Sequence, residues 1–149
     1  MGLVDEIPTG SRILLDANAV VYFIERHPAF APTVRPVFQG ISRGLFTAVI
    51  SVITLLEVLV APLRADRPDL VAEYRRRLTG SKGLSLVPVS IALGEEAARI
   101  RAAYNLRTPD ALVAATAATE RCSHLIGNDP IFRRVPHFQT LLISEAPAT

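Results

Sequence analysis

The sequence predicts an α/β protein in three layers, a five-stranded parallel sheet between two layers of helices. Two observations carry this expectation. Short apolar runs alternate along the chain with longer segments of helical periodicity, the pattern of a parallel sheet covered on both faces. The first of these runs, Arg12–Leu15, is apolar up to a single carboxylate, Asp16, as in a buried strand that ends at a polar edge.

Taken in order, Arg12–Leu15 is the first strand and Ala17–Glu25 the first helix. His27-Pro28 and the prolines at 32 and 36 punctuate the next stretch, leaving a short helix over Val34–Arg43. Leu45–Ile50 is a second strand, and Ser51–Arg64 an apolar helix with Pro62 near its end. Pro68–Thr79 places Leu70, Val71, Tyr74 and Leu78 on one helical face, and Gly80, Ser81 and Gly83 mark a loop before a strand at Leu84–Val89. Ile91–Tyr104 is helical, with Ala97, Ile100, Arg101 and Tyr104 at spacings of three and four. Thr108 then Pro109 read as an N-cap and first helical residue, opening a helix that runs to about Arg121. Leu125-Ile126 and Thr140–Ile143 complete the strands. The expected division is an N-terminal extension over 1–11, one domain over 12–145 and a tail over 146–149.

A chain of 149 residues, half of them hydrophobic, buries a substantial core and is not disordered in composition. No apolar run reaches the roughly 20 residues needed to cross a bilayer, so no membrane association is expected. Met1–Ser11 carries Asp5 and Glu6 and lacks the charge pattern of a secretory signal. The lone Cys122 excludes an internal disulfide and a cysteine-based zinc site within one chain. A cytoplasmic location is expected. Net charge is only +2, yet of 16 basic residues all but Lys82 are arginine. Arginine binds phosphate bidentately, which suits a nucleic-acid partner, although a GC-rich genome accounts for the bias equally well.

Four acids stand in apolar settings. Asp16 directly follows a strand, and Asp129 lies just past Leu125-Ile126-Gly127-Asn128; ligands of open α/β sheets bind at that carboxyl edge. Glu57 lies in an apolar helix that closely follows the second strand, with Ile53, Thr54, Val60 and Ala61 as its helical neighbours, a poor place for an unpaired charge. Asp110 opens a helix that feeds into the fourth strand, so it starts near the same edge. None of the arginines falls at the apolar strand ends beside these acids. Like charges brought together raise one another's pKa, and a divalent cation held by hard oxygens, Mg²⁺ or Mn²⁺, is the economical counter-charge. Singly, each acid has a plainer explanation: a turn or cap for Asp16 and Asp129, the helix N-terminus for Asp110, an arginine from another element for Glu57.

Together, Leu14-Leu15-Asp16-Ala17-Asn18 with Tyr22, Ser51-Val52-Ile53-Thr54-Leu55-Leu56-Glu57, Arg107-Thr108-Pro109-Asp110-Ala111-Leu112-Val113-Ala114-Ala115, and Leu125-Ile126-Gly127-Asn128-Asp129 resemble the PIN-domain family, in particular the VapC-like toxins of bacterial toxin–antitoxin pairs. The resemblance spans about residues 12–143. It implies a five-stranded parallel sheet and Mg²⁺- or Mn²⁺-dependent endonucleolytic cleavage of RNA. Asp16 and Asp110 would be the principal ligands, completed by Glu57 and Asp129 partly through water. Asn18, Ser51 and Asn128 fall where the family often has polar helpers. It further implies a VapB-like antitoxin that blocks the site with a basic residue, and often a homodimer. The chain departs at Gly127, where the family often carries Thr or Ser.

Competing readings are a PIN-like module that binds RNA or protein without cutting, and a phosphatase with Asp16 as nucleophile. The latter usually wants a second Asp two positions on, where this chain has Asn18. His27, His124 and His137 lack metal-ligand spacing, and a metal-free ribonuclease would need two of them to meet. Arg75-Arg76-Arg77 reads as a solvated helix face. Arg133-Arg134, closer to Asp129 in sequence, is a candidate for phosphate contact.

Overall fold

The structure, a computed structural model, describes residues 2–147; Met1 and the last two residues of the expected tail lie outside the described residues. Five strands, β1 (Arg12–Leu15), β2 (Thr47–Ser51), β3 (Leu84–Val87), β4 (His124–Gly127) and β5 (Gln139–Leu142), form one sheet in the order β3-β2-β1-β4-β5. Every neighbouring pair is parallel. Six helices, α1 (Ala17–Ile24), α2 (Ala31–Ser42), α3 (Val52–Arg64), α4 (Pro68–Gly80), α5 (Ile91–Tyr104) and α6 (Thr108–Thr119), connect them, with short 3-10 turns at Leu3–Glu6, Pro130–Arg134 and Ile143–Glu145.

Alternation of side chains along the strands divides the core in two. Ile13, Leu15, Ala48, Ile50 and Ile126 face a layer that includes Val20, Val34, Ile41, Tyr74 and Leu78. Leu14, Val49 and Leu125 face the other way, onto Leu93, Ile100, Val113 and Phe132. The three apolar residues of β1 are completely buried, as expected of the central strand. Chain order moves outward from β1 to β2 and β3, then returns to the other side of β1 for β4. The carboxyl ends of β1 and β4 therefore flank the point at which the winding reverses, where a crevice opens between the diverging connections.

The sequence locates every strand and α-helix, with ends displaced by a few residues, but not the three 3-10 turns. One misreading has a clear cause. Pro32 is taken as punctuation before a helix starting at Val34, yet α2 begins at Ala31 and includes Pro32 as well as Pro36. Pro32 falls in the first turn, where a missing N–H leaves nothing unpaired, and Pro36 removes a single intrahelical bond. Burial of Val34, Val37 and Ile41 holds the helix regardless. At α6, Arg107 and not Thr108 is the N-cap, and it makes no side-chain cap bond.

The segment before β1 is packed: Leu3 is only 2% exposed and joins the same core cluster as Ile7 and Ile13. Among the described residues, no helix is long and apolar enough to cross a membrane. Leu3→Ala is expected to lower the unfolding free energy by about 2–5 kcal/mol, the range for emptying a buried leucine site, measured by urea denaturation. A change under about 1 kcal/mol, the size of an ordinary surface substitution, would show that the core forms without this segment.

Candidate active site

Asp16 follows directly on the buried strand β1 and caps α1 with extended backbone, φ −85° and ψ 170°. Its own N–H donates to the Ile126 carbonyl of β4 at 2.9 Å, which fixes the residue between the two strand ends. The residue is 9% exposed. Burial pushes its carboxyl from the ordinary 3.8 up to about 7; the Ala17 N–H pulls the other way, and the fields of Glu57, Asp110 and Asp129 add to the rise. Acids from α3, α6 and the segment after β4 thus all act on the one at the end of β1.

Gly127, the last residue of β4, explains how that carboxylate fits. A Cβ at this position would lie 3.0 Å from the Cβ of Asp16 and 3.4 Å from its Oδ2. From sequence, Gly127 is a lost hydroxyl. In the fold it is the space into which the Asp16 side chain packs.

The other acids are less enclosed. Asp129 accepts a hydrogen bond from the Ile131 N–H at Oδ1, 3.0 Å, and so caps the 3-10 turn at Pro130–Arg134. Asp110 is half-buried in the first turn of α6. Glu57 departs from expectation. It is exposed, because α3 turns Thr54, Val58 and Pro62 inward and leaves Leu56 and Leu63 about 60% exposed beside it. An apolar sequence on all sides of a helix conceals which side is buried. The Glu57 carboxyl is still raised, first by partial burial and then by Asp110, with Arg107 offsetting part of the rise.

The expectation that no arginine stands beside these acids is also corrected. Arg107 Nε donates to Asp110 Oδ2 at 3.3 Å. The signal was present in the sequence as an Arg and an Asp three residues apart at a helix start.

The polar helpers have identifiable structural tasks. Ser51 is fully buried and its Oγ accepts from the Ile53 N–H, capping α3. Asn128 donates to the Tyr22 hydroxyl at 3.3 Å and accepts from the Ser144 N–H at 2.9 Å, which ties the end of β4 to α1 and to the turn after β5. Asn18 is half-buried in the first turn of α1. Arg133 pairs with Glu145, and Arg134 donates to the Asn105 carbonyl at 3.1 Å, so both arginines brace the fold. Arg76 and Arg77 bind Glu73 on their own helix. The histidines are separately engaged: His27 accepts from the Ala29 and Phe30 N–H groups, His124 contacts the Ser123 hydroxyl, and His137 meets the Tyr104 ring edge-on.

The donor set suits a hard divalent cation. It consists of carboxylate oxygens, the most buried of them carries no arginine partner, and Gly127 leaves that side chain its place. The side chains do not close into a cage, however; among the described residues no three acids stand close enough to hold one ion together. Asp110 is drawn to Arg107, Asp129 to a backbone N–H, and the carboxylates repel one another. A cavity of about 410 Å³, lined by Phe23, Phe38, Ile41, Arg77 and Leu84 among others, includes none of the four acids.

The PIN-domain family matches residues 13–137, which takes in β1, α3, α6, β4 and all four acids. The chain is a PIN-domain protein. Its fold is that of one chain in a Rickettsia felis VapBC2 complex bound to promoter DNA, at 20% identity and a TM-score of 0.71, covering 88% of this chain and 98% of that one. It is also similar to Mycobacterium tuberculosis VapC20, described as a sarcin-ricin loop cleaving toxin, at 14% identity and a TM-score of 0.68, covering 83% and 95%. A chain of FitAcB from Neisseria gonorrhoeae matches at 18% identity and a TM-score of 0.67, covering 89% and 99%. No curated protein matches by sequence.

In this PIN domain the raised Asp16 carboxyl makes stability depend on pH. Between about pH 4 and 7 the folded chain holds a proton that the unfolded chain has released, so stability falls as pH rises through that window. Glu57 acts in the same direction. His124, lowered chiefly by burial, acts oppositely, losing stability as pH falls through its titration range. Metal-free protein is expected to melt at a lower temperature at pH 8 than near pH 6, and Asp16→Asn to remove most of that difference. If Asp16→Asn kept the wild-type dependence in a scanning-calorimetry series, the slope would belong to other groups.

Proposed function

We propose that this PIN domain is a divalent-metal-dependent endoribonuclease and the toxin of a toxin–antitoxin pair. The observation that carries the reading is the buried Asp16 carboxylate at the carboxyl edge, raised to about 7 partly by three acids from other elements. Such an arrangement is unfavourable on its own, and sites where like charges are gathered against their own repulsion are candidates for function. Asp16 and Asp110 would hold Mg²⁺ or Mn²⁺, with Glu57 and Asp129 completing the acidic site. When bound, the cation would neutralise the phosphodiester and lower the pKa of a water.

The chain's own contribution is positioning. The Asp16 N–H to Ile126 bond and the Gly127 gap fix the most buried carboxylate. The Asn128 bonds hold the end of β4, from which Asp129 continues. Water would attack phosphorus in line and lose its proton to solvent while the P–O3′ bond breaks and the 3′ oxygen leaves to be protonated as a hydroxyl, giving the 5′-phosphate products that the family resemblance suggests. An RNA substrate is supported by VapC20, described as a toxin that cleaves the sarcin-ricin loop. A VapB-like antitoxin is supported by the similarity to chains from toxin–antitoxin complexes. The exposed Leu56, Val60 and Leu63 on α3 support a homodimer, and a cytoplasmic location suits such a pair.

With Mg²⁺ or Mn²⁺ the protein is expected to cleave single-stranded RNA. EDTA should abolish the activity, and Asp16→Asn or Asp110→Asn should reduce it by at least the roughly 10- to 100-fold that loss of a mere outer-shell partner of a metal ligand costs. Full activity in EDTA or in Asp16→Asn would reject this chemistry. The open arrangement of the acids, with Asp110 bound to Arg107, favours a second reading, a module that binds RNA or protein without cutting it. RNA binding without turnover under any divalent metal would select that alternative.

A further inference from the structure

We propose that Arg107 is a phosphate-binding residue of this site, a cation carried by the chain itself that pairs with Asp110 in the free protein and with the RNA backbone in the working complex. The inference rests on the nuclease reading and adds a residue to it.

Arg107 is the N-cap of α6, with extended backbone at φ −70° and ψ 158°, three residues before Asp110. The two side chains differ sharply in exposure: 79% for the arginine and 15% for the aspartate. The guanidinium is therefore the solvent-facing member of the pair. Its hold is a single contact through Nε at 3.3 Å, and among the described residues Nη1 and Nη2 donate to no group. An exposed pair of this kind is weak. Arg107 also acts on Glu57, so its charge is felt by acids on both α3 and α6.

Several other arginines of the chain, though not all, are committed elsewhere. Arg12 pairs with Glu120, Arg67 with Asp69, Arg99 with Glu96 and Arg133 with Glu145, while Arg134 binds a backbone carbonyl. Arg107 is, among the described residues, the arginine bonded to one of the four acids, and its paired Nη groups have the geometry to grip two oxygens of a phosphate. Arg107 and a divalent cation are rivals for Asp110. When the carboxylate is otherwise neutralised, the reason for the guanidinium to stay is gone, and it already stands in solvent beside the acids, free to turn to a phosphate.

Two effects of opposite sign follow. In Arg107→Gln, Mn²⁺ should bind about 2- to 5-fold more tightly, the factor released by removing a weak surface pair. In the same variant kcat/KM on a single-stranded RNA at saturating Mn²⁺ should fall about tenfold or more, the loss of one charge-assisted phosphate contact. The salt dependence of RNA affinity should become shallower by about one phosphate contact. Arg107→Lys, which keeps the charge and loses the fork, should return Mn²⁺ affinity towards wild type and recover only part of kcat/KM. Calorimetric Mn²⁺ titration without RNA and steady-state cleavage read the two halves separately. If the wild type cleaves RNA while Arg107→Gln, with unchanged circular dichroism, cleaves equally well at saturating Mn²⁺ or binds Mn²⁺ more weakly, the assignment is overturned. A wild type that binds Mn²⁺ but cuts no RNA overturns the nuclease reading instead, together with the phosphate half of this one.

Discussion

Everything at the candidate site depends on one carboxylate held out of water. Asp16 is the first polar residue after three completely buried ones in the central strand, and its backbone is bonded to the neighbouring strand at the point where the sheet's winding reverses. A charge there loses hydration and feels three further acids. Folding nonetheless keeps it in place, because moving Asp16 would break the junction of β1, α1 and β4. The core supplies the free energy that the acidic edge consumes.

The surrounding polar contacts make sense in that light. Ser51, Asn128 and Asp129 each satisfy a backbone N–H or tie one element to another. These bonds determine where α3 begins and where the chain goes after β4, and thereby where Glu57 and Asp129 stand. Asp129 uses Oδ1 as a cap and, among the described residues, forms no hydrogen bond through Oδ2. Gly127 belongs to the same set, contributing by absence of volume what the others contribute by hydrogen bonds.

Arg107 shows why the acids do not close on one another. Each of two carboxylates is turned towards its own positive neighbour, a guanidinium for Asp110 and a backbone N–H for Asp129. Like charges repel, which disfavours their closing on one another, and the Arg107–Asp110 pair, with its arginine largely in solvent, is a weak one.

The alternation of apolar runs and helical segments, the edge position of Asp16 and Asp129, and the family pattern, which matches over residues 13–137, were legible in the sequence, since strand burial and carboxyl-edge geometry are local consequences of apolar patterning. Which face of α3 is buried was not: its residues are apolar all round, so periodicity carried no direction, and only packing of Thr54, Val58 and Pro62 inward sent Glu57 to the surface. Pro32 misled because it falls in the first turn of α2, where a missing N–H leaves nothing unpaired. Gly127 read as a missing hydroxyl until the distance to Asp16 was known, because a close approach between strands depends on residues far apart in the chain. Sequence alone determined which acids lie at the edge of the sheet. The tertiary structure decided how deeply each is buried and what it is bonded to, because burial and partnership depend on where distant elements come to rest.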